Sequence, residues 1–226
     1  AGMLKELCAQ NQQAARTLEE IDSVLREIGE PTFSELVWNE ELSERLGNDT
    51  WSTQIAVYGA DLIMHAALRD MGLSPGLFLA HSYGEYPALC ASGAWSLRTG
   101  ILATHARCKV LSSLGEPPGK LISTAASAAQ LSELVQRFSD RGFVAPANWN
   151  SPDQTVLAVE TALCDAVLAD LEARGGAAKL LPVPQPYHSR LLAPAQPGLA
   201  AALKSLPLRP PRTPFLSGVG NTYVAE

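Results

Sequence analysis

The spacing of apolar and polar positions predicts a helix, a strand and a second helix in the first half of the chain. Over residues 53–71 apolar side chains recur every three or four positions, which predicts a helix that ends before Gly72. The short apolar run 77–80 then predicts a buried strand. A sharp turn should follow, leading into a helix through Tyr86 and Cys90.

Residues 119–186 show a different pattern, in which short alternating runs are separated by turn residues. The pattern predicts strands at 121–125, 143–148, 155–159 and 178–183, with helices at 128–138 and 162–173. This strand-helix-strand-strand-helix-strand order is that of a ferredoxin-like subdomain. We therefore expect an inserted ferredoxin-like unit at 119–186 within a core formed by 1–118 and 187–226. A helix at 193–206 and a strand at 215–219 should belong to that core.

Composition and charge exclude several classes of function. The formal net charge is -6 and the sequence pI is near 5.3, with no cluster of basic residues, so nucleic acid is not an expected partner. No apolar run approaches the length of about 18 residues that a membrane span needs, and the first residues do not resemble a secretory signal. We expect a cytoplasmic protein that does not act at a membrane.

The four cysteines give no sign of a disulfide framework or a metal site. Cys8, Cys90, Cys108 and Cys164 are scattered, without a C-x-x-C pair or a histidine at metal-binding spacing. We expect reduced thiols and no bound metal.

The segment from Ala80 to Gly84, Ala-His-Ser-Tyr-Gly, is close to the nucleophile-elbow pattern G-x-S-x-G. Small residues flank the serine in such a turn because the backbone bends too tightly for larger ones. The turn would present the Ser82 hydroxyl to a cleft and aim the backbone N–H of Tyr83 at an oxyanion. The alternative interpretation is that Ser82 is a helix N-cap.

A serine nucleophile needs a positioned base, and the chain has four histidines. His65 and His105 lie in predicted helices, where surface or satisfied core imidazoles are expected, and His81 should point away from Ser82. His188 lies in a loop after the inserted unit, flanked by proline, which could hold an imidazole over the serine. We predict His188 as the base.

Several segments, in order, resemble the malonyl-CoA:acyl-carrier-protein acyltransferase family, which includes free enzymes of fatty-acid synthesis and domains of polyketide synthases. They cover nearly the whole chain and are more specific together than singly. The segments are 50–54 (TWSTQ), 81–86 (HSYGEY), 107–109 (RCK), 148–152 (NWNSP) and 187–189 (YHS).

The resemblance implies an α/β fold, with a hydrolase-like parallel-sheet core and a ferredoxin-like insert. It implies Ser82 as the acylated nucleophile, His188 as its base and Arg107 as the receptor of the malonyl carboxylate. A guanidinium suits this task because it pairs with a carboxylate through two hydrogen bonds. Gln54 matches a glutamine of the family's cleft, and Asn148 or Asn150 lies in a segment close to that cleft; the alternative is that these are ordinary polar residues of turns and strand ends. The bulk of Tyr187, which precedes the base, favours plain malonyl over branched groups.

The same resemblance implies malonyl-CoA as donor, phosphopantetheine on an acyl carrier protein as acceptor, neighbouring synthase domains as partners and no permanent cofactor. The family's pattern also begins with an F-x-G-Q-G turn that does not occur before Leu4, and it continues past Glu226. The chain is therefore expected to be truncated at both ends, with the activity of this polypeptide open to question.

Two alternatives to acyl transfer remain at this point. An α/β-hydrolase-type thioesterase or esterase would use the same serine with water as acceptor, and its acid could be Asp153, Asp165 or Asp170. A non-catalytic module would only dock a carrier protein or neighbouring domains. Against the thioesterase, Asp165 and Asp170 lie on a helix of the inserted unit and Arg107 has no evident role there. Against the docking module, Ser82, His188 and Arg107 are all present.

Overall fold

The computed structural model describes residues 2–218 and the backbone of 222–224. Its residues divide into two compact units, Ala1–Lys109 with Leu199–Glu226, and Val110–Gly198. Each unit is treated by itself below. The sequence-based boundaries, 1–118 with 187–226 and 119–186, stay a prediction.

The helices and strands follow in chain order. The helices are α1 (Lys5–Gln10), α2 (Gln12–Glu27), α3 (Phe33–Trp38), α4 (Glu40–Ser43), α5 (Thr50–Asp70), α6 (Glu85–Ala91), α7 (Leu97–Ser112), α8 (Ala128–Phe138), α9 (Cys164–Ala173) and α10 (Gln196–Lys204). The strands are β1 (Phe78–Leu79), β2 (Gly119–Thr124), β3 (Val144–Ser151), β4 (Gln154–Glu160), β5 (Ala178–Leu180), β6 (Phe215–Ser217) and β7 (Thr222–Val224).

The first unit has a helical core formed mainly by α2, α3 and α5. Ile21, Phe33 and Ile63 are fully buried there, and each such side chain contributes about 1.5–3 kcal/mol through burial. Gly59 of α5 lies against the Phe33 ring so closely that any Cβ at this position would collide with it. Helix α5 begins where the Asp49 carboxylate accepts a hydrogen bond from the Ser52 N–H, a standard N-cap.

The same unit carries a small sheet in the order β1-β6-β7. Strand β1 is parallel to β6, with Phe78 opposite Phe215, and β7 is antiparallel to β6. The predicted strand at 77–80 is thus present, but the prediction that it is buried is wrong, since Leu79 is 70% exposed. Strand β1 lies at the edge of this sheet, with only β6 beside it among the described residues. The strand predicted at 215–219 ends at Ser217, and Val219 lies outside the described residues.

The second unit contains a four-stranded sheet in the order β3-β4-β2-β5, with every neighbouring pair antiparallel. Along β4 the side chains alternate between two apolar clusters. Leu157 and Val159 join the cluster that includes α8 and α9, whereas Val156 and Ala158 join a smaller cluster with Leu121. The predicted order of strands and helices between 119 and 183 is observed.

Prolines account for the main differences in element length in this region. Strand β5 ends at Leu180 rather than at 183, because Pro182 and Pro184 have no N–H to donate to a ladder. The helix predicted from 193 begins instead at Gln196, after a 3-10 turn over Arg190–Ala195 that contains Pro194.

No helix in the described part of the chain is long and apolar enough to cross a membrane.

Candidate active site

Ser82 occupies a sharp turn between β1 and α6. Its φ is 54°, in the left-handed region that non-glycine residues rarely adopt, at a cost of about 1–2 kcal/mol. The Gly84 N–H donates to the His81 carbonyl at 3.0 Å and closes the turn. Helix α6 begins at Glu85 with Gly84 as its N-cap, so the N-cap interpretation of Ser82 is wrong. The turn has the backbone that a nucleophile elbow requires.

Ala80 takes the place of the first glycine of the elbow pattern. A Cβ built on Gly84 would lie 3.5 Å from the Ala80 Cβ, which is an ordinary contact distance. The Ala80 methyl therefore lies at ordinary van der Waals distance from the Gly84 position on the other side of the turn.

Glu85, the first residue of α6, ties the elbow to strand β6. Its Oε1 accepts hydrogen bonds from the Gly218 N–H at 2.6 Å and from the Ser217 hydroxyl at 3.3 Å. A carboxylate in the first turn of a helix is also favoured by the helix dipole. No role for Glu85 was predicted from the sequence; a carboxylate in the first turn of a helix is the signal that could have indicated one.

Both the hydroxyl and the ring of Tyr83 make contacts with other side chains. Its hydroxyl lies 2.8 Å from the Thr104 hydroxyl on α7. Its ring stacks on Tyr86, with centroids 5.2 Å apart, and Tyr86 in turn meets Trp95 edge to face at 5.2 Å. The sequence predicted a role for the backbone N–H of Tyr83 but none for its side chain.

Arg107 lies beside this aromatic pair. Its guanidinium carbon is 5.7 Å from the Tyr83 ring centroid and 6.0 Å from that of Tyr86, which is the range of cation-π contacts. The structure therefore brings Arg107 next to the residue that follows Ser82, although 24 positions separate Arg107 from Tyr83 in the chain.

Gln54 lies on the face of α5 that meets α7. It is 7% exposed, and its Oε1 accepts a hydrogen bond from the Cys108 thiol at 3.4 Å. Burial raises the pKa of the Cys108 thiol to about 12, so this group stays neutral and able to donate at neutral pH. Gln54, Tyr83 and Arg107 are thus connected through adjacent residues of α7 within the first unit.

The second unit holds the other predicted site residues, starting with His188. This residue is exposed and has a φ of 59°, again left-handed. The turn around it is tight, since the Tyr187 N–H donates to the Gln185 carbonyl at 2.9 Å and the Ser189 hydroxyl donates to the Pro186 carbonyl at 2.6 Å. The Tyr187 side chain packs on the small apolar cluster of Leu121, Val156 and Ala158.

Asn148 and Asn150 lie near the end of β3. Asn148 is opposite Val156, between two register shifts of the β3–β4 pair, and Asn150 is exposed. Such irregularities often redirect side chains at the rim of a sheet. Their role in binding stays a prediction.

The remaining histidines have other surroundings. The His105 Nε2 lies 3.2 Å from the Glu30 carboxylate, and its ring meets Trp51 edge to face, so His105 is a satisfied, partly buried imidazole as expected. His65 is half-buried against Phe78, with ring centroids 5.5 Å apart. His81 is exposed.

Among the described residues no group of three or more histidine, cysteine or acidic side chains could hold a metal ion. The four cysteines are free; Cys8, Cys108 and Cys164 are buried and Cys90 is half-buried. These thiols contribute to packing in the two units.

Comparison with known proteins identifies the family of this chain. The family model described as the acyl transferase domain matches residues 1–222. The chain belongs to the acyl transferase domain family.

Two curated relatives show the range of that family. A malonyl CoA-acyl carrier protein transacylase of Synechocystis is 32% identical over 170 residues, which cover 75% of this chain and 56% of that protein. The non-reducing polyketide synthase stmB of Aspergillus ustus is 27% identical over 221 residues, or 96% of this chain and 10% of that protein. The chain therefore spans about half of the first relative and a small part of the second.

Solved structures show the same fold. A malonyl CoA-acyl carrier protein transacylase from Clostridium perfringens superposes with a TM-score of 0.87 at 27% identity, covering 99% of this chain and 69% of that one. The malonyl-transacylase of a type II polyketide synthase, solved with its acyl-carrier protein, gives 0.88 at 25% identity and covers 100% and 72%. The chain has the α/β fold of these acyltransferases.

Proposed function

We propose that this chain is the core of an acyltransferase that moves a malonyl group from malonyl-CoA to the phosphopantetheine thiol of an acyl carrier protein, through an acyl-Ser82 intermediate. The observation that carries the proposal is the left-handed backbone of Ser82 in a closed strand-to-helix turn, with the Arg107 guanidinium over the ring of the next residue. Strain of this kind persists where the surrounding structure enforces it, commonly at active sites.

In the first half-reaction the Ser82 hydroxyl attacks the thioester carbonyl of malonyl-CoA, and His188 takes the hydroxyl proton. The oxyanion that forms is stabilised by the backbone N–H of Tyr83, near the N-terminus of α6. The C–S bond then breaks, and His188 returns the proton to the departing thiolate of coenzyme A. The product is a malonyl ester of Ser82.

In the second half-reaction the pantetheine thiol of the carrier attacks this ester. His188 takes the thiol proton and gives it to the Ser82 oxygen as the C–O bond breaks. The carrier leaves as a malonyl thioester and the enzyme is restored, without a metal or redox cofactor in either step.

Arg107 supplies selectivity for a diacid. A guanidinium and a carboxylate form two parallel hydrogen bonds, whereas an acetyl group would leave the cation in the cleft without that pairing. Gln54, Asn148, Asn150 and Tyr187 are proposed as further lining of the malonyl site, with Tyr187 disfavouring branched donors.

The finer description of the fold is part of the same proposal. The parallel β1–β6 pair supports a hydrolase-like core, and the antiparallel order β3-β4-β2-β5 with two helices supports a ferredoxin-like subdomain. We also propose an acyl carrier protein and neighbouring synthase domains as partners, and a cytoplasmic location.

The test is covalent labelling of the purified full-length polypeptide with malonyl-CoA or acetyl-CoA, followed by mass analysis of the peptide that contains Ser82. We expect a malonyl adduct on this peptide that is absent in Ser82→Ala. Arg107→Ala should lower the rate of malonyl labelling by about 10- to 100-fold, since a charged hydrogen-bonded pair is worth about 1.5–3 kcal/mol, while acetyl labelling should change little.

Matched control variants are available on α7 and directly after it. Ser113→Ala removes an exposed serine near the end of α7, and Arg98→Ala removes an exposed arginine from the first turns of that helix. Both should label like the wild type. An adduct on a residue other than Ser82, or acetyl labelling as fast as malonyl labelling in the wild type, would contradict the proposal; rapid release of the acyl group to water would favour a thioesterase.

A further inference from the structure

Thr104 of α7 forms a hydrogen-bond chain whose direction can be deduced. Its hydroxyl lies 2.8 Å from the Gly100 carbonyl oxygen, which can only accept, so Thr104 donates its proton there. The Tyr83 hydroxyl, 2.8 Å from the same Thr104 oxygen, must then be the donor in the second bond. The chain therefore runs from Tyr83 through Thr104 to the backbone of α7.

Both partners are suited to a permanent hydrogen bond. Thr104 is fully buried, and burial raises the pKa of the Tyr83 phenol well above its usual value, so the phenol keeps its proton at every physiological pH. The hydrogen bond between Tyr83 and Thr104 is short, and the burial of Thr104 shields it from water. The bond restrains the swing of the Tyr83 side chain about its Cα–Cβ bond and so holds the ring in place.

The ring so anchored is the surface on which Arg107 lies. The guanidinium carbon is 5.7 Å from the ring centroid, and Thr104 and Arg107 are one turn apart on α7. Neighbours at this spacing share a helix face. A single turn of α7 thus holds the tyrosine ring by one side chain and places a cation over that ring by the other.

We propose that Thr104 is a positioning residue for donor selectivity: by anchoring the Tyr83 hydroxyl, it keeps the ring in the place that orients Arg107 toward the carboxylate of the acyl donor. This role rests on the proposed function, because it assumes that Arg107 receives a carboxylate. Thr104 itself touches no substrate, and it acts through Tyr83 and Arg107.

The experiment compares Thr104→Val, which keeps the shape and removes the hydroxyl, with Thr104→Ser, which keeps the hydroxyl. The measured quantity is kcat/KM for labelling Ser82 with malonyl-CoA and with acetyl-CoA. Thr104→Val should lower the malonyl value by about three- to tenfold, the range expected from one hydrogen bond, and leave the acetyl value within about twofold. Thr104→Ser should restore the malonyl value.

Tyr83→Phe removes the other partner of the bond and should give the same loss. If the two groups act as one unit, the double variant Tyr83→Phe with Thr104→Val is no slower than either single variant. Thr99→Val, a buried threonine of the same helix bonded to Ser96, is the matched control and should keep the wild-type ratio of the two donors.

The outcomes distinguish the positioning role of Thr104 from the proposed acyltransferase function. If the wild type is labelled by malonyl-CoA and Thr104→Val has the same ratio of malonyl to acetyl kcat/KM as the wild type, the positioning role is overturned. The proposed function is then unaffected. Equal losses with both donors overturn it too, because they indicate general damage to the fold. A wild type that forms no malonyl adduct overturns the proposed function, and the positioning role with it.

Discussion

The two units of the chain support their proposed site residues in different ways. In the second unit strands of up to eight residues form one antiparallel sheet with apolar clusters on its faces, and His188 lies in a turn packed beside this sheet. In the first unit the strands have two or three residues, and the residues near Ser82 are held by helices and aromatic contacts.

The difference shows that one kind of backbone strain can be supported by unlike frameworks. Ser82 and His188 both have left-handed backbones, with φ of 54° and 59°. The turn at Ser82 is closed by the hydrogen bond from the Gly84 N–H to the His81 carbonyl. The next side chain, Tyr83, contacts Thr104 and Arg107 of α7. His188 is fixed by two hydrogen bonds within its own turn. In the first unit the strained residue is supported by side-chain contacts with α7, and in the second it is supported by its own turn and by the packing of Tyr187 on the sheet.

The largest effect should come from the sheet core of the second unit. Leu157→Ala removes a fully buried side chain from the face of β4 toward the helices. It should lower the free energy of unfolding by about 2–5 kcal/mol through lost burial and a cavity. Urea denaturation followed by circular dichroism measures this. Leu180→Ala, on β5 at 37% exposure, should cost less than about 1 kcal/mol; equal losses would mean that the sheet core does not hold this unit.

A smaller loss should follow from tightening the contact between α5 and α7 in the first unit. Tyr58 is fully buried and its hydroxyl donates to the Leu97 carbonyl at 3.0 Å, while a Cβ at Gly100 would collide with that hydroxyl. Gly100→Ala should therefore destabilise by about 1–3 kcal/mol. Thermal unfolding measures it, with Gly76→Ala, where a Cβ meets open space, as the neutral control. An unchanged melting temperature for Gly100→Ala would show that this contact is loose.

A third prediction concerns the strain at the two left-handed residues. Ser82→Gly and Ser82→Ala should both abolish labelling, but the glycine variant should be more stable by about 0.5–1 kcal/mol, since glycine adopts a positive φ without steric cost yet gains more freedom when unfolded. The pair His188→Gly and His188→Ala makes the same comparison in the second unit. Unfolding midpoints decide it, and an alanine variant that is more stable than its glycine counterpart by about 0.4–1 kcal/mol, the entropic difference alone, would mean that no strain is stored there.

The smallest effect is a pH dependence in the first unit. Burial, with the nearby Arg69, lowers the pKa of His65 below its ordinary value of 6.5. The unfolded chain then binds the proton more readily, so stability contributed by neutral His65 is present above pH 6.5 and is lost as the pH falls below it. Between pH 7 and pH 5 the melting temperature of His65→Gln should fall less than that of the wild type. The exposed His81→Gln is the control; an identical slope for His65→Gln and wild type would refute the prediction.

Several elements could be predicted because their signal is local. The element order between 119 and 183 follows from alternation and turn residues, and helix α8 has the predicted bounds, with Ser127 and Gln130 forming a capping box at its start. Helices α1, α3 and α4 were not predicted, since four to six residues are too few to display a period. Helix α2 was not predicted either, although its buried residues Leu18, Ile21 and Leu25 recur at helical spacing.

The residues of the candidate site also differ in whether a local sequence signal reveals them. The elbow is visible in the sequence because its residues are neighbours in the chain, with the small residues Ala80 and Gly84 on either side of Ser82. Arg107 was singled out only through resemblance to a family, since an arginine in a helix has no local mark. Thr104 was missed because a threonine in a helix becomes informative only when its hydroxyl is seen to meet Tyr83.

By itself, the sequence determined where helices and strands form in the second unit, which serine can occupy a tight turn, and that the chain has the pattern of an acyltransferase. The first two depend on neighbouring residues, whose preferences act over a few positions, whereas the acyltransferase pattern rests on the resemblance of several segments spread along the chain. Only the tertiary structure decided that Leu79 is exposed and that Tyr83 lies between Thr104 and Arg107. Such facts depend on distances between elements far apart in the chain, which are fixed by packing and not by any local pattern.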